Sequence, residues 1–149
     1  MPKLDTSTWT YGEGAVHPVF GESTGPFAEI VLGEQAGLSQ FGVRLERLPP
    51  GSRSSQRHWH SSEDEFVIVL SGELVLIEDT EHILRSGDAA AWAAGNPVGH
   101  CLANRSNAEA TILVVGHRSP ADTVTYPDHN RVLERIGTQR QYRLGHHTK

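Results

Sequence analysis

Gln56-Arg57-His58-Trp59-His60, with Glu65 five residues on and Gly72 seven beyond that, decides how this chain is read. Histidines at i and i+2 point the same way only in a β-strand, where side chains alternate faces. Glu65 opens the run Phe66-Val67-Ile68-Val69-Leu70, which also reads as a strand. Paired strands can set His58, His60 and Glu65 around one point. Two imidazoles and a carboxylate arranged so are a metal-binding set in need of a further ligand. His100 is the candidate for it.

Outward from this stretch the chain is a series of short apolar runs at 29–32, 40–48, 54–60, 65–70, 73–78, 82–85, 88–93, 100–105 and 110–117. Turn signals separate them: Pro49-Pro50-Gly51, Ser71-Gly72, Asp79-Thr80, Ser86-Gly87-Asp88, Gly95-Asn96-Pro97 and Asn104 to Asn107. Strand-like runs broken about every 8–12 residues indicate an all-β sandwich or barrel. No window holds a capped helical period. Residues 1–27, rich in Gly and Pro, read as an N-terminal arm with at most one short strand. Residues 28–119 read as the barrel. Residues 120–149 read as an extension with short strands at 122–126, 132–136 and 141–144, packing on the barrel or on a partner subunit.

Two runs are apolar on both faces. Val67 and Val69 share the face of Glu65, while Phe66, Ile68 and Leu70 take the other, and residues 74–77 repeat the pattern. A strand buried on both sides needs its outer face covered, and exposed patches of that size are rare in monomers. A homodimer with this sheet near the interface is expected.

Composition bounds the rest. The chain has 149 residues, 37% hydrophobic and 21% charged, which suits one globular domain. A net charge of −5 argues against a nucleic-acid partner. The basic residues within 131–149 are interleaved with glutamate and glutamine and read as a solvated face. One cysteine, Cys101, excludes an intrachain disulfide. The N-terminus lacks the apolar core of a signal peptide, and no run approaches the ~18 residues of a membrane helix. A cytoplasmic protein with no membrane partner is expected.

The spacing resembles a known family. Gly51, His58-x-His60, Glu65 and Gly72 look like the first motif of the cupin superfamily, and Gly87-Asp88, Gly95, His100 and Asn104 resemble the second. Six residues separate Gly51 from His58, one more than the pattern. Ala93 stands where proline is usual, and the loop between Gly95 and His100 is longer. The stretch 54–72, with Asn104-Arg105-Ser106 and Tyr126-Pro127-Asp128, is similar to small bacterial single-domain cupins, some labelled sugar-phosphate isomerases. The resemblance implies a cupin-type antiparallel β-barrel, or jelly roll, with one divalent metal held by His58, His60, Glu65 and His100. Glu63 and Asp64 compete with Glu65, which is preferred because Gly72 then falls at the family distance and the β run begins there.

Such donors suit Zn, Mn, Fe, Ni or Co. The function expected is binding or conversion of a small oxygenated metabolite, as in a sugar-phosphate isomerase or epimerase. The alternatives are an Fe(II)-dependent dioxygenase and a non-catalytic small-molecule-binding or sensor cupin. No segment is long and helical enough for a DNA-binding helix-turn-helix. Gln56, two residues before His58, is a candidate for touching substrate or metal-bound water. Arg44, Arg105 and Arg118 are candidates for gripping an acidic substrate. Trp59 and Phe66 face outward by parity. Asn104 reads as a structural residue at a turn, Cys101 as a buried small side chain, and His146-His147 as an adventitious metal grip.

Overall fold

The computed structural model describes residues 3–145, so His146-His147 lie outside the described residues. The elements in chain order are β1 (Thr10–Gly12), β2 (Phe27–Ile30), a one-turn helix α1 (Leu32–Gln35), β3 (Phe41–Leu48), β4 (Trp59–His60), β5 (Glu65–Ser71) and β6 (Glu73–Ile77). They continue with β7 (Glu81–Arg85), β8 (Ala89–Trp92), β9 (Cys101–Ala103), β10 (Ala110–His117), β11 (Ala121–Tyr126), β12 (Arg131–Ile136) and β13 (Gln139–Leu144). One sheet has the order β1-β2-β3-β10-β5-β8, a second β13-β12-β11-β4 and a third β7-β6-β9. All pairings are antiparallel. The all-β expectation holds, and the short strand allowed in the arm is β1, paired with β2.

Strand alternation explains where the core sits. On the inner face of the large sheet, Leu48 lies across from Ala110, and Glu46 beside Ile112 and Val69. Arg44, Val114, Val67 and Ala90 form the next row, and Gly42, Gly116, Glu65 and Trp92 the last. One end of the interior is therefore apolar. Leu48, Val69, Leu74 and Ile112 are sealed there. The other end carries the charged residues. Gly42 and Gly116 contribute no side chain to the row of Glu65, which leaves space beside it.

The family glycine at 72 has a physical reason. It turns β5 into β6 with φ +83°, and a Cβ there would lie 2.8 Å from the Ala110 Cα. Both the left-handed backbone and the close approach require glycine.

Two expected elements differ. The strand expected at 29–32 begins and ends earlier, because the chain enters α1 at Leu32. The strand expected over 54–60 is reduced to Trp59–His60. Arg53 bridges to Ala103 and His58 to His100, so five residue steps on one side face three on the other. Two residues must bulge out. The Ser54 hydroxyl stabilises the bulge by accepting the Leu102 N–H at 2.9 Å, as a backbone carbonyl would in a regular ladder.

The tail forms β11, β12 and β13, and β11 pairs with β4 through Val124–His60 and Thr125–Trp59. The extension thus hydrogen-bonds to the strand that bears the His-x-His motif. Among the described residues no helix is long and apolar enough to cross a membrane.

Candidate metal centre

His58, His60, Glu65 and His100 come from three separate segments and meet at the charged end of the interior. Glu65 begins β5. His58 and His60 sit at the end of the bulge and on β4. His100 precedes β9 and is bridged to His58 through both backbone hydrogen bonds. The Glu65 carboxylate lies at the centre of the three rings. His100 Nε2 is 2.6 Å from its Oε2, and His60 Nε2 and His58 Nε2 are 3.4 and 3.7 Å from its Oε1.

Each ring is fixed from behind through its other nitrogen. His58 Nδ1 lies 2.7 Å from the Gln56 carbonyl, His100 Nδ1 3.1 Å from the Val98 carbonyl and His60 Nδ1 2.5 Å from Asp122 Oδ2. Acceptors at all three Nδ1 positions turn every Nε2 toward Glu65. That is the donor arrangement of a metal site. Among the described residues, His58, Glu65 and His100 form one group whose ligand atoms are close enough to hold an ion, and His60, Glu63 and Asp122 form another.

Trp92 and Asp122 were not foreseen from the sequence. Trp92 stacks on His100 with ring centroids 3.7 Å apart and planes 3° from parallel. Its indole N–H donates to Glu78 at 2.6 Å. Asp122 is buried on β11 and shares a strand face with Val124. A carboxylate on the apolar face of a strand signals a paired buried charge, and that signal was present in the tail. Glu63, considered only as a rival to Glu65, accepts the Ser119 N–H and pairs with Arg135.

The electrostatics follow from these contacts. Burial pushes the Glu65 carboxyl up, but the hydrogen bonds from His100, His58 and His60 outweigh it and hold the group far below the usual carboxylate range. Burial pulls the His60 imidazole down, and Glu65 and Asp122 together reverse this and raise it to about 9.

A cavity of about 340 Å³ opens on these residues. Arg44, Glu46 and Arg118 line it as well. Arg44 Nε is 2.5 Å from Glu46 Oε1. Burial pushes the Glu46 carboxyl up, with Arg44 pulling the other way. Arg105 does not reach the cavity and pairs instead with Glu81.

Gln56 is also outside the cavity wall. The bulge breaks the parity that would have set it beside His58. Its side-chain oxygen is near Arg53 and His129, at 3.3 Å from each, and its amide nitrogen is buried with no partner. Asn104 is structural, donating to the Leu48 and Ala108 carbonyls. Cys101 is buried, and burial raises its thiol above the ordinary range.

Comparison with known proteins agrees with this architecture. The family model described as "Cupin domain" matches residues 44–116. A sugar phosphate isomerase from a cupin superfamily, of Silicibacter pomeroyi, is 42% identical. The match covers 96% of this chain and 92% of that one, with a TM-score of 0.88. A provisionally assigned sugar phosphate isomerase from Acidithiobacillus ferrooxidans is 28% identical over 79% of this chain and 76% of that one, with a TM-score of 0.77. A predicted oxalate decarboxylase from Thermotoga maritima shares the fold at 24% identity and a TM-score of 0.55, covering 64% and 83% of the two chains. No curated protein matches the sequence. The fold, the two motifs and the extended likeness to the Silicibacter protein agree: the chain belongs to the cupin superfamily.

Proposed function

We propose that the chain binds one divalent transition metal through His58, His60, Glu65 and His100, and acts on a small anionic oxygenated metabolite as a sugar-phosphate isomerase or epimerase. The observation that carries the metal reading is the convergence of three Nε2 atoms on the Glu65 carboxylate while every Nδ1 faces an acceptor behind it. The donors are three nitrogens and one oxygen, which suit Zn, Mn, Fe, Ni or Co. A bound ion would supply Lewis acidity towards a carbonyl or adjacent hydroxyls.

The chain's own residues account for the remainder. Arg44 and Arg118 in the cavity wall offer guanidinium groups to a phosphate or carboxylate. Glu46 is a buried carboxyl with an upward-shifted proton affinity in the same wall, suited to proton transfer. The apolar rows beyond limit water. These charged groups favour the anionic-sugar reading over an Fe(II)-dependent dioxygenase or a sensor module, and the names of the Silicibacter and Acidithiobacillus proteins point the same way.

The test is metal analysis of untagged protein, which removes contributions from a purification tag. Wild type is expected to hold about one ion per chain, and His58→Ala and Glu65→Ala much less. Unchanged stoichiometric metal in both variants refutes the site. For the reaction, incubation with a panel of aldose and ketose phosphates in D2O is expected to show metal-dependent deuterium exchange that Glu46→Gln lowers.

We also infer that a second copy covers the outer face of the large sheet, where Phe41, Phe66 and Leu70 stay exposed in one chain.

A further inference from the structure

We propose that Asp122, supplied by the C-terminal hairpin, is a positioning residue that fixes the tautomer and orientation of His60 at the metal centre. This rests on the metal reading above. The Asp122 side chain is fully buried. Its Oδ2 lies 2.5 Å from His60 Nδ1, and its Oδ1 accepts from the Ser62 N–H at 2.9 Å and the Ser61 hydroxyl at 3.1 Å. Both oxygens are thus assigned. Oδ1 is held by Ser61 and Ser62, just after β4, and Oδ2 is left to face the imidazole. A carboxylate accepts only, so His60 Nδ1 carries a proton, and Nε2 is the nitrogen turned to Glu65, 3.4 Å away, where it would ligate an ion.

The same residues admit a rival reading, because His60, Glu63 and Asp122 are close enough to hold an ion of their own. Arg135 argues against it. Its guanidinium is bonded to Glu63 Oε1, lies 4.0 Å from Asp122 Oδ2, and donates to the Ser119 carbonyl at 3.2 Å. A guanidinium is already paired with Glu63 and lies near Asp122, where it competes with a metal cation. The cluster is therefore the support of one metal centre and not a second one.

Asp122→Asn separates this role from simple packing. The amide oxygen would keep the Ser61 and Ser62 donors, which places the NH₂ against His60 Nδ1. That arrangement forces the proton to Nε2 and blocks ligation. Co(II) titration of metal-free protein is the readout, followed by absorption of the loaded site. Asp122→Asn is expected to bind Co(II) about 10- to 100-fold more weakly, with an altered visible spectrum. Glu81→Gln, at the surface pair with Arg105, is expected to match wild type. Asp122→Asn with wild-type affinity and spectrum overturns the proposal. Wild type that takes up no Co(II) overturns the metal reading itself. Should the variant fail to fold, ¹⁵N NMR of zinc-loaded wild type decides. A protonated His60 Nδ1 supports the proposal, and a metal-bound Nδ1 overturns it.

Discussion

Replacing Trp92 is expected to separate the support of His100 from the packing of the barrel. The side chain is 9% exposed, lies flat against the His100 ring at 3.7 Å and donates to the Glu78 carboxylate at 2.6 Å. Trp92→Ala removes the ring and the donor together, and large-to-small changes of this kind cost about 3–5 kcal/mol. Trp92→Phe keeps an aromatic face against His100 and loses the hydrogen bond. Bonds to charged groups contribute about 1.5–3 kcal/mol. Glu78 is only partly buried, so water takes over its free oxygen and the lower end of that range applies. The expected costs are therefore about 1.5 kcal/mol for phenylalanine and about 3–5 kcal/mol for alanine. Against a total of about 5–15 kcal/mol, the alanine variant is close to the limit of folding. Urea unfolding of chelator-treated protein at constant slope measures both values. Metal titration then reads the site. Phenylalanine is expected to keep affinity close to wild type and alanine to weaken it, because the flat face that packs on the His100 ring is then lost. Equal costs for the two variants, or an alanine cost below about 1 kcal/mol, would refute the stacking argument.

Two further outcomes follow from charge and exposure. In metal-free protein His60 is raised from the ordinary 6.5 to about 9 in the folded state, so its contribution to stability is complete below about pH 6.5 and fades as the pH rises through 9. Melting temperatures from pH 6 to 9.5 in chelator are expected to fall more steeply for wild type than for His60→Gln, and parallel curves would contradict the assignment. Phe66→Glu on the exposed outer face is expected to turn a dimer into a monomer in light scattering. A wild type that is already monomeric removes the basis for the second copy.

The legible part of this molecule is local. His58, His60 and Glu65 lie within eight residues, and strand alternation is enough to aim them together. The alternating runs likewise marked β3, β5, β6 and β10 near their observed ends. Gln56 shows where locality fails. Its orientation depends on a two-residue bulge that exists only because Arg53 and His58 pair with Ala103 and His100, more than forty positions away. Asp122 is 62 residues from His60, and Trp92 reaches His100 across the extended loop. Their roles come from sheet pairing between segments, which alternation within a segment does not encode. Arg44 and Arg105 looked equivalent as sequence. The register of β3 turns Arg44 toward the interior, whereas Glu81 holds Arg105 at the surface.

The pairing of β11 with β4 has a consequence for the order in which the protein matures. A nascent chain that has released residues 1–119 already carries His58, His60, Glu65 and His100, but not the acceptor for His60 Nδ1. Until β11 emerges and pairs with β4, that imidazole lacks the buried carboxylate that holds its Nδ1 in the folded chain. If the centre takes up a metal as proposed, an ion captured before that closure would be held more weakly than one captured after it. Translation would thereby set a delay between exposure of the proposed ligands and the fixing of His60.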